Sequence, residues 1–247
     1  MNTQDKDSAH INSLAIIGSG NVAAHLAKAF ENVMPAISVP PRSLENLPTF
    51  SDLAIIAVKD DAIEEVAQKL KGHAGILAHT SGSVPMSVLE GLAAGHGVFY
   101  PLQTFTKDVE LDYSEIPFFI EADSKETQQK LVELAKKISG NVNLADSDQR
   151  KQLHLASVFS CNFTNCLMGI SNDILMKSGI DFRVMLPLLR QTISKLTKLT
   201  PLQAQTGPAI RKDFNVMDRH IGMLSDNPEL QQIYRLMSDI IIKNSKQ

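Results

Sequence analysis

The sequence predicts an α/β fold: an N-terminal parallel sheet covered by helices, followed by an all-helical C-terminal domain. Three observations carry this expectation. Between residue 13 and about residue 146, short apolar runs alternate with segments of helical periodicity. The runs are apolar throughout, which marks strands buried on both faces rather than on one. From Ser147 onward no such run recurs, and the helical period continues to the end.

Taken in order, LAIIG opens the sheet and NVAAHLAKAF is the first helix. Ala36 to Val39 is the second strand, and LAIIAV (53–58), GILAHT (75–80), GVFYPL (97–102) and PFFIEA (117–122) are the next four. The segments DDAIEEVAQKLK, VPMSVLEGLAA and DSKETQQKLVELAKKIS repeat apolar residues at three- and four-residue spacing and read as helices. The stretch from Asp146 to Gly179 reads as one helix of about thirty residues, ~45 Å long at 1.5 Å per residue. Ser147 is its expected N-cap and Gly179 its C′ residue. A second helix covers 181–199 with a bend at Pro187. TPLQAQTGPAIRKD is a loop or broken turn, and two shorter helices follow. Asn227-Pro228-Glu229 opens the last one: a cap, a first-turn proline and an acid at the positive helix end. The expected domains are 1–147, for a dinucleotide, and 148–247, for dimerisation and substrate.

With 43% hydrophobic and 21% charged residues, the 247-residue chain has the composition of a soluble protein with a core. A net charge of −3 without a basic block argues against nucleic acid as a partner. Cys161 and Cys166 stand about 140° apart around a helix of 3.6 residues per turn, poorly placed for a shared metal or disulfide. The polar start MNTQDKDSAH lacks a signal-peptide core, and no apolar run reaches the ~20 residues of a membrane helix. The expectation is a cytoplasmic protein that needs no membrane. No HExxH, CxxC or paired His/Asp pattern suggests a metal, and no GxSxG elbow a hydrolase. His10, His25, His73 and His96 read as surface residues.

Gly18-x-Gly20-x-x-Ala23 lies between a strand and a helix, the context a dinucleotide fingerprint requires. Gly18 permits a tight turn, Gly20 lets a pyrophosphate approach the backbone, and Ala23 lets strand and helix pack closely. The helix then offers unpaired N–H groups near Ser19, Asn21 and Val22. At the end of the second strand an acid would take the ribose 2′-OH of NAD. Arg42 and Ser43 stand there instead, and suit the 2′-phosphate of NADP, with Glu45 as a competing candidate. NADP(H) is therefore the expected cofactor, NAD(H) remaining open. Only some eight residues separate Ser43 from the next strand, so the adenine side is trimmed. The bland alternative is a strand–helix turn that uses glycine for geometry.

Several strings together point to a family. GSGNVAAHLAKAF, IIAVKDDAI, HTSGSVPMSVL, GVFYPLQTF, LHLASVFSCNFTNCL and QTGPAIRKD follow the order found in Rossmann-like proteins with a C-terminal domain of unknown function. The chain resembles this group, is similar to pyrroline-5-carboxylate reductases and, more distantly, to β-hydroxyacid dehydrogenases and ketopantoate reductases. The resemblance implies an NADP-binding Rossmann-like domain, a helical dimerisation domain and an active site between them. One departure concerns catalysis. The dehydrogenases place a lysine one helical turn before an asparagine, whereas Val158 and Cys161 precede Asn162 and Asn165 here.

In open α/β sheets, ligands sit beyond the carboxyl ends of the strands. Val58, His79, Ser81, Gln103 and Thr104 fall there. His79 is a candidate proton donor or else a hydrogen-bonded strand-end histidine, and Thr80-Ser81 lines the site or caps a helix. On the long helix Lys151, His154, Asn162 and Asn165 form a polar stripe at eleven-residue relations, either facing a ligand or hydrogen-bonding to helices. Thr206, Gly207 and Arg211 make a third group. The resemblance brings such a turn to the substrate, where Arg211 grips a carboxylate or else pairs with Asp213 or Asp218.

The expected site is therefore catalytic at His79, His154 and Asn162. Cofactor contacts fall to Gly18, Ser19, Gly20, Asn21, Val22, Arg42, Ser43, Val58 and Ser81, and substrate contacts to Gln103, Thr104, Asn165, Thr206, Gly207 and Arg211. The expected activity is NADP(H)-dependent reduction of a C=O or C=N bond in a small, carboxylated substrate by a homodimer. Phe159, Phe163, Leu186, Leu189, Ile240 and Ile241 are its interface candidates. A non-catalytic nucleotide-binding sensor or scaffold is the rival, favoured by the trimmed adenine side and the missing lysine.

Overall fold

In the computed structural model, described for residues 10–44, 47 and 51–245, apolar strands and glycine turns assemble as the pattern demands. β1 (Leu14–Ile17) leads into α1 (Asn21–Phe30), and β2 (Ala36–Val39), β3 (Ser51–Ile56) and α2 (Ile63–Lys69) follow. Next come β4 (Ala74–His79), β5 (Gly95–Pro101), β6 (Phe118–Ala122), α3 (Lys125–Lys136) and β7 (Val142–Leu144). The sheet order is β2-β1-β3-β4-β5-β6-β7, seven strands among the described residues. In β1, Leu14 and Ile16 pack on the face beneath α1 and α3, while Ala15 and Ile17 pack on the opposite face beneath α2. This two-sided burial is why the strands are apolar throughout.

Three expectations for this sheet need correction. PFFIEA runs antiparallel to β5, Phe99 opposite Ile120, so the sheet is mixed. The strand ending at Pro101 reaches β6 through loop 102–117 with no crossover helix, and that loop returns the chain from the same end of the sheet. NVNL was not expected as a strand; three residues of it pair with β6 as an edge. VPMSVLEGLAA forms only a 3₁₀ turn, Met86–Leu89, since Leu89 and Leu92 are buried and little apolar surface is left for a longer helix to cover.

The long helix is α4 (Ser147–Ser157), a π-helical turn (Val158–Phe163) and α5 (Thr164–Met176). Its N-cap is Asp146 rather than Ser147: the carboxylate accepts from Gln149 N and the Gln149 side chain accepts from Asp146 N. Ser147 is free for another task described below. Gly179, at φ +69°, ends the helix in the left-handed conformation that glycine tolerates best. The segment 181–199 is a 3₁₀ turn, Phe182–Met185, then α6 (Leu186–Lys195), and Pro187 sits in its first turn, where no N–H is missed, instead of bending it. TPLQAQTGPAIRKD contains two four-residue helices, α7 (Pro201–Ala204), with a Thr200–Gln203 capping box, and α8 (Pro208–Arg211). α9 (Phe214–Met223) and α10 (Pro228–Asn244) complete the chain, the last capped by Asn227.

The described chain divides into two compact units, one reaching Cys166 and one starting at Leu167. The first has two packed cores, one on each face of the sheet. In the second, only Ala209 and Met217 are buried among the described hydrophobic residues. Leu188, Ile193, Leu236 and Met223 are 59%, 66%, 60% and 76% exposed. Such a unit has amphipathic helices with little under them. Among the described residues no helix is long and apolar enough to cross a membrane.

Candidate functional site

The glycine turn is built as the fingerprint requires. A Cβ on Gly18 would lie 2.3 Å from Ala57 O and 2.9 Å from Ala23 Cβ, so no side chain fits between β1, β3 and α1. A Cβ on Gly20 would meet nothing within 4 Å, so the backbone there is open to an approaching group. Gly20 caps α1 without a side-chain bond, and no acid stands in the first turn. By contrast, Ser124, Asp146, Asp213 and Asn227 cap α3, α4, α9 and α10 with side-chain oxygens. The start of α1 thus keeps unpaired N–H groups and its partial positive charge for an anion.

Asn21 is committed elsewhere: its Nδ2 donates to Phe105 O at 2.9 Å. His25, read as a surface residue, is 3% exposed. Its ring nitrogens contact Tyr113 Oη and Thr106 O, both at 2.9 Å, tying loop 105–113 to α1. His96, also read as a surface residue, is half-buried, 3.3 Å from Asp123. Arg42 follows β2, is exposed and makes no ion pair among the described residues, and Ser43 N donates to Pro40 O. Glu45 lies outside the described residues.

Beyond the strand ends, the first unit holds a cavity of about 530 Å³. Among its lining residues are Val22 from α1, Val58 and Asp60 after β3, and Ser81 and Gly82 after β4. Tyr100, Gln103 and Thr104 come from the end of β5 and the loop after it, and His154, Ser157 and Asn162 from the long helix. The structure therefore brings together seven of the residues singled out from sequence: Val22, Val58, Ser81, Gln103, Thr104, His154 and Asn162. The eleven-residue stripe does not survive intact. The π turn changes the angular step between 158 and 163, so Asn162 reaches the cavity while Asn165 stays outside its lining. Lys151 is exposed and pairs with Asp148 at 3.2 Å.

His79 needs correction as a catalytic candidate. It is fully buried and absent from the cavity lining, and its Nδ1 accepts from Ser81 N at 3.1 Å. Among the described residues Nε2 has no hydrogen-bond partner. Burial, reinforced by the charge of Arg150, pushes its pKa down to about 4. It is a neutral strand-end histidine that fixes the turn after β4, because a proton on a sealed ring has no water to stabilise it.

Arg150, fully buried, organises this turn, and sequence reasoning missed it. Its Nε and Nη2 donate to Glu121 Oε2 at 3.1 and 2.7 Å, Nη1 to Ser81 O at 2.8 Å, and both Nη atoms to Val84 O at 3.2 Å. Ser147 Oγ accepts from Nη2 and donates to Glu121, which is the task that the cap position left it. Ser81 Oγ in turn accepts from Ser83 N and Val84 N, both at 3.0 Å. Tyr100, also missed, places its hydroxyl 3.3 Å from His154 Nδ1. A lone tyrosine in an apolar strand was the available signal, since a buried phenol needs a polar partner.

In the second unit, Thr206 lines an apolar groove of about 340 Å³ with Leu167, Ile170, Ile233 and Met237. Gly207 caps α8 at φ +114°, which a side chain would strain, and the following cap residue Lys212 is left-handed. Arg211 is exposed and forms no ion pair with Asp213 or Asp218 among the described residues. Cys161 and Cys166 are free and exposed. Among the described residues no group of three potential metal ligands occurs.

Comparison with known proteins places these features in context. Residues 116–241 match the domain of unknown function DUF2520. A Bacteroides fragilis protein named "putative NADP oxidoreductase BF3122" is 40% identical, with 94% of this chain and 98% of that one covered, at a TM-score of 0.89. Thermotoga maritima protein TM1727 is 20% identical over 94% and 98% of the two chains, at a TM-score of 0.70. The Plasmodium falciparum pyrroline carboxylate reductase, solved with NADP bound, is 13% identical over 95% and 97%, at 0.54. These last two share the fold, the structural counterpart of the likeness read from the motifs. No curated protein matches the chain.

Proposed function

The chain belongs to the DUF2520 family, and we propose that it is a cytoplasmic, homodimeric NADP(H)-dependent oxidoreductase. It reduces a C=O or C=N bond of a small carboxylated substrate. One observation carries the cofactor: the uncapped, acid-free start of α1 behind Gly18-Ser19-Gly20, one residue from Val22 in the cavity wall. There the N–H groups of 20–22 hold the pyrophosphate, and Arg42 with Ser43 holds the 2′-phosphate. The bound cofactor supplies hydride; the chain supplies orientation and charge. The name of the Bacteroides fragilis protein, at 40% identity, supports the same reading.

Residues 1–147 serve the dinucleotide, and 148–247 serve substrate and dimerisation. His154, Asn162, Gln103 and Thr104 face the substrate, and Arg211, exposed and without an ion pair among the described residues, is the second unit's candidate for binding a carboxylate. Asn165 on the long helix, and Thr206 and Gly207 in the second unit, are further substrate-side candidates. A unit in which only Ala209 and Met217 are buried among the described hydrophobic residues supports the homodimer. Of the candidates, Phe159, Phe163, Leu186 and Ile240 are 64%, 47%, 40% and 45% exposed, while Leu189 and Ile241 are half-buried. The sensor reading keeps two observations, the connection of only seven residues between Ser43 and β3 and the absence of a lysine four residues before Asn162 and Asn165.

Calorimetry with both dinucleotides tests the cofactor. A charge-assisted bond is worth about 1.5–3 kcal/mol, so Arg42→Ala should weaken NADPH binding roughly ten- to hundred-fold and leave NADH nearly untouched. Equal losses for both would remove Arg42 from the site.

A further inference from the structure

Hydride transfer to a carbonyl leaves an oxygen that must take up a proton, and the cavity wall offers few groups able to give one. Ser81 is buried and its Oγ is held in the turn by two backbone N–H groups from which it accepts, and Thr104 Oγ1 donates to Gln103 Oε1. Ser157 Oγ donates to His154 O, Asp60 is an acid on the exposed rim, and His79 is sealed away. Tyr100 remains.

We propose that Tyr100 Oη is the proton donor of the reduction and that His154 is its positioning residue. The inference rests on the oxidoreductase reading and adds to it the group that completes the chemistry. Tyr100 is 7% exposed, and what it exposes belongs to the cavity. Its hydroxyl lies 3.3 Å from His154 Nδ1, with the rings edge-on at 6.4 Å between centroids. Both rings rest against Gly82, where a Cβ would come within 2.9 Å of Tyr100 Cζ and of His154 Cβ. Arg150, one helical turn before His154, holds the carbonyls of Ser81 and Val84 on either side of that glycine. Strand, turn and helix are thus locked around one pair of side chains.

Burial raises the phenol above its ordinary value. The Ser157 hydrogen bond and the Arg150 charge oppose this and Asp60 adds to it, and His154 and Cys161 are the other titratable groups lining the cavity. Tyr100 therefore keeps its proton at neutral pH, as a donor must. An alkoxide is a far stronger base than a phenolate, so transfer to it runs downhill. The Tyr100 O–H bond breaks as the substrate O–H bond forms. The phenolate then recovers a proton from solvent, which enters His154 at Nε2 as another leaves from Nδ1. The same logic sets a specificity: an iminium substrate arrives with its proton and does not need Tyr100, whereas an oxo acid does.

The test compares wild type with Tyr100→Phe, which removes one oxygen and keeps the ring against Gly82. NADPH binding, followed by fluorescence, should be unchanged. Nitrogen NMR of the seven histidines, which requires no turnover, should show the His154 signal moving in Tyr100→Phe; an unmoved signal overturns the pairing. With NADPH and 2-oxo acids, kcat should fall about 10²- to 10⁴-fold, while reduction of cyclic iminium substrates should change little. His154→Ala should lower kcat for the oxo acids and His154→Gln, whose side-chain amide can still donate to the phenol oxygen, should restore part of it. Equal kcat for Tyr100→Phe and wild type on an oxo acid overturns the proposal and leaves the oxidoreductase standing. Wild type that binds no NADPH, or turns over neither class, overturns both.

Discussion

Replacing Arg150 by Met keeps most of the side-chain volume and removes the charge. In the native structure all three guanidinium nitrogens are engaged, by Glu121 Oε2, two backbone carbonyls and Ser147 Oγ, and the side chain is wholly buried. The change strands a carboxylate whose own side chain is only 15% exposed, together with Ser81 O and Val84 O. Removing one partner of a buried pair costs about 3–5 kcal/mol, against a total stability of roughly 5–15 kcal/mol. Arg150→Met should thus remove a large share of the stability, and Arg150→Met with Glu121→Leu should recover much of it, since no charge is then left unpaired. The chain has no tryptophan, so urea unfolding is followed by far-UV circular dichroism, at equal protein concentration for every variant. The reasoning is refuted if Arg150→Met unfolds within about 1 kcal/mol of wild type, a loss typical of an ordinary surface change, or if the double variant is no better than the single one.

Two further outcomes follow from burial. His79 is held at about 4 against an ordinary 6.5, so between these values the unfolded chain binds a proton that the folded chain refuses. Stability should fall as pH drops from 6.5 to 4, by about 3 kcal/mol at 1.36 kcal/mol per pH unit; an undiminished slope in His79→Gln would show that another group is responsible. Sedimentation at low micromolar concentration should give a particle of two chains, burying roughly 2,000 Å² or more as obligate interfaces do. A single-chain particle there would leave the apolar helices of the second unit without an explanation.

The sheet was legible because each strand carries its own statement of burial. IIAV and GILAH are apolar on both faces, and only a covered sheet makes use of that. Direction is a different matter. PFFIEA looks the same parallel or antiparallel, and what decides its direction is loop 102–117, which carries no crossover helix. VPMSVLEGLAA shows the limit of periodicity: three- and four-residue spacing is satisfied equally by a single 3₁₀ turn whose next leucine also goes inward. At the site, Ser81, Gln103 and His154 were legible because strand ends and polar helix stripes are places where a fold must put ligand-facing groups. Asn165 stays outside the cavity lining that Asn162 joins, because the eleven-residue relation assumes 3.6 residues per turn and the π turn between 158 and 163 breaks it.

Arg150 and His25 escaped for a shared reason. Neither is unusual for a helix, and nothing near either in the chain announces burial. Their partners lie 29 to 88 residues away: Glu121, Ser81 and Val84 for one, Tyr113 and Thr106 for the other. A buried charge is tolerable only when distant segments converge to satisfy it, so its environment is a property of the fold and not of the local sequence. The same two residues also do parallel jobs. His25 fastens loop 105–113 to the helix offered to the cofactor, and Arg150 fastens the Ser81–Val84 turn to the helix that carries His154. Each couples one wall of the cavity to a rigid element, which is what a site needs if its groups are to be held within fractions of an ångström of a working geometry. Losing either clamp should therefore loosen one wall of the cavity before it removes any group from it.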